Sequence, residues 1–365
     1  MATALLLYAT LVFVSLTTSY AKDKPPLYVF GDSLFDAGMT LYTGVDGDGA
    51  EFWPYGQTYF NKPSGRYCDG RVIPDFLAQF AGWPHLRTYL QPGPKNYSQG
   101  INFAAASACV LVETRPGKIN LALQMYYFVQ MVRKLKQQVG KLEANKLLSK
   151  AVYLIDIGGN DYFSLFDPIT SGTRRLPPLP LSLRMKKDYI NEILGELTTH
   201  IYTLYNKGGR KFVFPNIGPL GYFPSMKVLC MLRSEPSCVE DLHELARMHN
   251  TAFSALAKRL QTRLPGFKYS IYDFYTGVQL RVINAHRFGF KESRTACCGS
   301  GPFNGDFTCQ KLEHSFTVCS NPNDYLWFDA GHPTERANEQ FAIEIWSGGS
   351  NVVAPYNLHT LLSIT

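Results

Sequence analysis

The sequence predicts an α/β protein, a largely parallel sheet covered by helices on both faces. Three observations carry this. Short apolar runs that stop at Gly, Asn or Pro alternate with long stretches in which apolar residues recur every three or four positions. The chain has 365 residues, 45% apolar and 18% charged, enough for one large core or two modest ones and too apolar for disorder. Its 30 Gly and 22 Pro are near average usage and show no repeat, which excludes collagen, solenoid and low-complexity architectures.

The elements follow in chain order. Residues 1–21, MATALLLYATLVFVSLTTSYA, carry no charged side chain and end in small residues before Lys22 and Asp23. This predicts a secretory signal cleaved after Ala21, with residues 22–365 as a single domain. A membrane anchor is the competing reading, since the segment has no Lys or Arg, but the apolar run is shorter than the ~20 residues a spanning helix needs. No later segment is apolar enough to span, so no stable membrane insertion is expected.

Leu27–Phe30 reads as a buried strand stopping at Gly31, and Ala151–Ile157 as another stopping at Gly158-Gly159-Asn160. Lys211–Phe214 runs into Pro215-Asn216-Ile217-Gly218-Pro219, and Phe267–Phe274 is a further strand. Helices are predicted over 121–149, 185–207 and 238–263. In the first, Val129, Val132, Leu135, Val139 and Leu142 form the buried side, and the basic residues from Arg133 to Lys150 form a solvated face. Pro177-Pro178-Leu179-Pro180 reads as a stiff loop. Ligands of such open sheets sit at the carboxyl ends of the strands, where this chain places Gly31-Asp32-Ser33, Asn160-Asp161 and Asn216. The same residue types also make ordinary turns.

Charge and cysteines narrow the class. The net charge of +7 is scattered, without the basic blocks that phosphate backbones require, so nucleic acid is not an expected partner. Eight cysteines, Cys68, Cys109, Cys230, Cys238, Cys297, Cys298, Cys309 and Cys319, suit disulfides of a secreted protein, and full pairing alone allows ~105 connectivities. Zinc is disfavoured because the cysteines from 297 to 319 lack paired C-x-x-C spacing and no histidine stands at finger spacing beside them. His243-Glu244 followed by His249 is no metalloprotease motif, since the second His is six residues on. Asn96-Tyr97-Ser98 is a glycosylation sequon, which fits a secretory route.

A serine directly after a strand ending in Gly can present its hydroxyl at the sheet edge, and it becomes a nucleophile when a base and an orienting group are in reach. Ser33 has this placement. Among eight histidines the best base is His332, in Phe328-Asp329-Ala330-Gly331-His332-Pro333-Thr334, because Asp329 three residues earlier can reach one imidazole nitrogen and leave the other for Ser33. Equally open on spacing alone is that Asp329 caps a helix beginning near Pro333.

These residues carry a resemblance. Phe30-Gly31-Asp32-Ser33-Leu34-Phe35-Asp36-Ala37-Gly38 resembles the first block of the plant GDSL esterase/lipase family, within the SGNH hydrolases. Gly100-Ile101-Asn102-Phe103-Ala104 is similar to its second block, Gly158-Gly159-Asn160-Asp161 to its third and Asp329–Thr334 to its fifth. Further likeness to plant members lies in Phe52–Gly56, Gly65–Arg71, Asn216–Gly221 and Cys297-Cys298-Gly299.

The resemblance implies the flavodoxin-like SGNH fold, three layers α/β/α around a mainly parallel sheet. It also implies Ser33 as nucleophile, His332 as general base, Asp329 as its orienting acid, and an oxyanion hole from the Ser33 N–H, the residue at position 107 and Asn160. Two departures from the family pattern stand out. Ser107 occupies a position that is usually Gly, with Cys109 at another common Gly site, and Met39-Thr40 replaces a frequent Asn-Asn. The N–H at 107 survives, but Ser tolerates positive φ poorly.

Three functions follow as expectations. The first is a secreted serine esterase/lipase that hydrolyses small-molecule or lipid carboxylic esters through an acyl-enzyme, as a monomer, with no metal or organic cofactor. The second passes the acyl group to an alcohol and is an acyltransferase forming lipid or specialised-metabolite esters. The third is an inactive binding or defence protein on the same scaffold. Thr170–Pro180 and Phe223–Ser237 are the loops expected to shape the pocket. Secretion leads to the cell wall and extracellular space, with the vacuole or reticulum lumen as other destinations.

Overall fold

The computed structural model describes residues 24–44, 50–167, 176–309 and 315–364, and the expected signal segment 1–21 lies outside them. In chain order the strands are β1 (Leu27–Gly31), β2 (Gly100–Asn102), β3 (Val152–Asp156), β4 (Lys211–Pro215), β5 (Lys268–Tyr272), β6 (Glu292–Ala296), β7 (Cys298–Gly299), β8 (Thr317–Val318), β9 (Tyr325–Trp327) and β10 (Val353–Ala354). The helices are α1 (Ile73–Phe80), α2 (Leu121–Val139), α3 (Lys141–Lys150), α4 (Gly159–Phe163), α5 (Leu183–Asn206), α6 (Pro224–Arg233), α7 (Cys238–Arg263), α8 (Phe274–Ile283), α9 (Glu335–Ser347) and α10 (Leu358–Ser363).

Six strands form one sheet in the order β10-β5-β4-β3-β1-β2. All neighbours are parallel except β10, which pairs antiparallel with β5. Strands β1, β3 and β4 are buried along their whole length, as their unbroken apolar runs require when helices cover both faces. On one side α2, α5 and α7 pack in series, and on the other α1, α9 and α10 do. Order β2-β1-β3-β4-β5 is that of flavodoxin, whose switch point falls between β1 and β3. The expected α/β/α class is what the chain adopts.

Local chemistry accounts for the departures. The helix expected over 121–149 breaks at Gly140, whose φ of 82° lies in the left-handed region that glycine adopts freely. The break resets the helical phase, so Leu142 is 88% exposed and Ala144 and Leu148 take the buried side of α3. The last predicted strand ends at Tyr272 rather than Phe274, because the Asp273 side chain accepts from the Thr276 N–H and starts α8. Strands β2 and β10 have three and two residues, too few to leave a periodic signal.

Helix α7 carries a buried imidazole. His249 Nδ1 lies 2.7 Å from the Tyr162 hydroxyl on α4, and burial pushes the ring down to about 3. The folded state therefore holds it neutral, and stability present above the unfolded value of about 6.5 is lost as pH falls through the window down to about 3. Wild type is expected to lose up to about 1.4 kcal/mol per pH unit more than His249→Gln across that window, measured by urea unfolding at pH 7, 6, 5 and 4. Parallel curves for the two proteins would remove the buried neutral histidine from the account.

Candidate active site

Gly31 ends β1 opposite Asp156 of β3, and a side chain there would meet the Asp156 carbonyl oxygen at 2.4 Å. Only glycine lets the two strands stay paired while the chain turns out of the sheet. The Asp32 N–H then donates to Asp156 O at 3.2 Å, and Ser33 emerges at the switch point.

Ser33 Oγ lies 2.7 Å from His332 Nε2, and His332 Nδ1 lies 2.6 Å from Asp329 Oδ1. The helix-capping alternative for Asp329 is corrected here: α9 starts at Glu335 and its cap is Thr334, whose side chain accepts from the Ala337 N–H. Asp329 instead takes the Gly331 N–H at 2.8 Å and, on its other oxygen, the Tyr55 hydroxyl at 2.6 Å. Burial, reinforced by the Asp329 charge, pushes the Tyr55 phenol well up and keeps it a donor. The Tyr67 ring stands 4.9 Å from the His332 ring and closes this side.

The second loop comes from β2. Asn102 Nδ2 donates to Phe35 O at 2.8 Å, and the Ala106 N–H donates to Asp36 Oδ2 at 3.0 Å, so both ties run to the segment after Ser33. Thr40, one of the two departures after the first block, bonds Asp36 and also accepts from the Ala106 N–H. Ser107 follows with φ of 64°, so the left-handed conformation is kept with a serine in place. Among the described residues the N–H groups of Ser33 and Ser107 have no acceptor. Asn160 opens α4 and its Nδ2 donates to Ala108 O at 3.0 Å and to Asp32 Oδ2 at 3.3 Å. Asp161 takes the Val110 and Leu111 N–H groups and fixes the Ser107 loop to α4, while burial raises its carboxyl to about 6.

Ser33, Tyr55, Ser107, Asn160, Asp329 and His332 line one cleft of about 370 Å³. Its apolar wall includes Phe163, Ile217, Leu220, Phe223, Met226, Leu229 and Phe274. The stretch expected to be a loop from Phe223 to Ser237 is mostly α6, and its inner face supplies part of that wall. Residues 170–175 of the other expected loop lie outside the described residues. The floor holds Asp32 and Asp156. Burial pushes Asp32 up to about 6, against the charges of His332 and Arg115, and burial reinforced by the Asp32 charge pushes Asp156 well above the carboxylate range.

Six cysteines are paired, as Cys230–Cys238, Cys297–Cys319 and Cys298–Cys309, and Cys68 and Cys109 are free and buried. The adjacent Cys297 and Cys298 donate their N–H groups to Trp327 O and Phe328 O, so two disulfides clamp the segment that delivers Asp329 and His332. Asn96 is exposed, with its side chain accepting from Ser98. Among the described residues no helix is long and apolar enough to cross a membrane. Tyr55, Tyr67, Asp156 and Arg115 escaped the sequence analysis, although Tyr55 and Tyr67 lie in two of the blocks singled out there.

A serine in the left-handed region is strained by about 1 kcal/mol or more. Ser107→Gly is therefore expected to raise the unfolding free energy by about 1 kcal/mol, and Ser107→Ala to leave it unchanged, in urea melts. A Gly variant no more stable than the Ala variant would show that this backbone is unstrained.

Residues 27–345 match the family described as GDSL-like Lipase/Acylhydrolase. The chain is 41% identical to GDSL esterase/lipase 5 of Arabidopsis thaliana, over 93% of this chain and 87% of that protein. It is 38% identical to the GDSL lipase of Tanacetum cinerariifolium over 93% of this chain and 88% of that protein. It is also 34% identical to Inactive GDSL esterase/lipase-like protein 25 of Arabidopsis thaliana, over 98% of this chain and 78% of that protein. With the elbow at Gly31-Asp32-Ser33 and a match that spans nearly the whole sheet, the chain belongs to the GDSL-like lipase/acylhydrolase family.

Proposed function

We propose that this chain, a carboxylic ester hydrolase by its family, works through Ser33, His332 and Asp329 by way of an acyl-enzyme. The observation that carries this is the continuous chain Ser33 Oγ, His332 Nε2, His332 Nδ1, Asp329 Oδ1, with contacts of 2.7 and 2.6 Å. Asp329 holds Nδ1 protonated, so Nε2 accepts the Ser33 proton as Oγ attacks the ester carbonyl. The tetrahedral oxyanion is met by the Ser33 and Ser107 N–H groups, and Asn160 exchanges its longer contact, to Asp32, for the same oxygen. The bond to the leaving alkoxide breaks as His332 returns the proton to it. Water then repeats the sequence on the acyl-Ser33 ester and releases the acid.

The apolar cleft wall suits an acyl chain, so the substrate class is a small-molecule or lipid ester. Three disulfides and a sequon on an exposed asparagine support passage through the secretory pathway, with residues 1–21 as the leader.

The test gives oxidised protein a ladder of acyl esters from acetyl to palmitoyl, with and without added alcohols, with products read by mass spectrometry. Wild type is expected to release free acid and to be labelled by a fluorophosphonate, and Ser33→Ala to do neither. Asn160→Ala is expected to lower kcat by about 10²- to 10³-fold. Tyr55→Phe is expected to lower kcat by about tenfold with KM unchanged, since one charge-assisted bond to Asp329 is lost. New ester that rises with alcohol at the expense of acid would assign acyl transfer instead. Labelling and turnover that survive Ser33→Ala would overturn the assignment of the nucleophile.

A further inference from the structure

Strand β3 ends in a carboxyl that no step of ester hydrolysis uses. Asp156 is 7% exposed and lines the cleft beside Ser33. Among the described residues its side chain has no hydrogen-bond partner and no cation within ion-pair distance. The other buried acids of the site are all engaged. Asp36 takes donors from Gly38, Met39, Thr40 and Ala106, Asp161 from Val110, Leu111 and Thr114, Asp32 from Leu34 and Asn160, and Asp329 from Tyr55, Gly331 and His332. The Asp156 oxygens open onto the cleft rather than being sealed from it, so a polar group of a bound substrate can reach them in place of solvent.

Sheet order tells where that ligand lies. Strand β3 stands between β1, which carries Ser33, and β4 and β5, whose ends lead into Ile217 and Phe274. Ser107 follows β2, on the far side of β1. Asp156 thus sits on the floor between the nucleophile and the apolar wall, the part of the cleft suited to the acyl half of an ester. We propose that Asp156 is a specificity-determining residue that hydrogen-bonds a hydroxyl group on the acyl half of the substrate, so that the preferred esters are those of hydroxylated acids.

A hydroxyl fits because it both donates and accepts. Asp32 lies beside Asp156, and two neighbouring carboxyls in a buried site favour keeping one protonated, which gives Asp156 a donor and an acceptor of its own. An anionic substituent would meet Asp32 as a like charge. Ile217 and Phe274 offer a substituent no competing hydrogen bond from their side chains.

The inference rests on the ester-hydrolase reading, and its test separates the two. Methyl esters of hexanoic, octanoic and 3-phenylpropanoic acids are compared with their 3-hydroxy, terminally hydroxylated, terminally amino and 4-hydroxyphenyl analogues, in wild type, Asp156→Leu and Asp156→Asn. Wild type is expected to favour at least one hydroxylated acid about tenfold or more in kcat/KM over its parent. Asp156→Leu is expected to abolish that ratio and to raise turnover of the parent ester, while Asp156→Asn, which still donates and accepts, retains part of the preference. A ratio near one for every pair in wild type, an unchanged ratio in Asp156→Leu, or a stronger preference for the amino analogue overturns the inference while leaving the hydrolase intact. Absence of all turnover and of fluorophosphonate labelling at Ser33 overturns both.

Discussion

The buried carboxylate of Asp36 sets the spacing on which the whole site depends. It accepts from the N–H groups of Gly38, Met39 and Thr40, from the Thr40 hydroxyl and from the Ala106 N–H. The first four hold the segment after Ser33 in a closed turn, and the last brings in the loop from β2. Burial pushes this carboxyl up, and the convergent hydroxyl and N–H donors oppose the rise. Asn102 makes the reciprocal tie to Phe35, and with both in place Ser33 and Ser107 line one cleft. Replacement of the Asn-Asn often found after the first block by Met39-Thr40 keeps this arrangement, because the Thr40 hydroxyl bridges Asp36 and Ala106.

Asp329 and His332 arrive from the other end of the chain under a different constraint. A small apolar cluster of Tyr55, Tyr67, Phe328 and the half-cystines Cys297, Cys298 and Cys309 packs around Asp329 and His332, apart from the main core. Excluding water there strengthens the bonds from Asp329 to His332 and Tyr55. Covalent ties do for this irregular segment what a sheet ladder does for β1, and the site joins a rigid strand end to a stapled loop.

How far the sequence was legible follows the range of the interaction concerned. Continuous apolar runs marked β1, β3 and β4 because full burial imposes that pattern locally. Ser33 stood out because it follows a strand that ends in Gly31, whereas the spacing of three left Asp329 open between His332 and a helix cap, and the family resemblance pointed to the pair. Tyr55 was not legible, since its bond to Asp329 joins residues 274 positions apart and leaves no spacing to detect. Asp156 is visible in sequence only as the polar end of an apolar run. Its isolation depends on which strands flank it, which the sheet order decides. The break at Gly140 misled the assignment of Leu142 because a periodic pattern continues across a helix break without announcing a change of phase. Cysteine pairing was likewise undetermined until the fold brought the half-cystines together.

The separation of 299 residues between Ser33 and His332 has a consequence during synthesis. At about 5–20 residues per second, Ser33 exists for roughly 15–60 s before His332 has been made. Throughout that interval Ser33 Oγ has no imidazole beside it, and the cleft lacks the side formed by Asp329 and His332. The contact between the first strand end and the last loop therefore forms only once nearly the whole chain exists. Closure of the cleft reports that the last part of the chain has been made and docked.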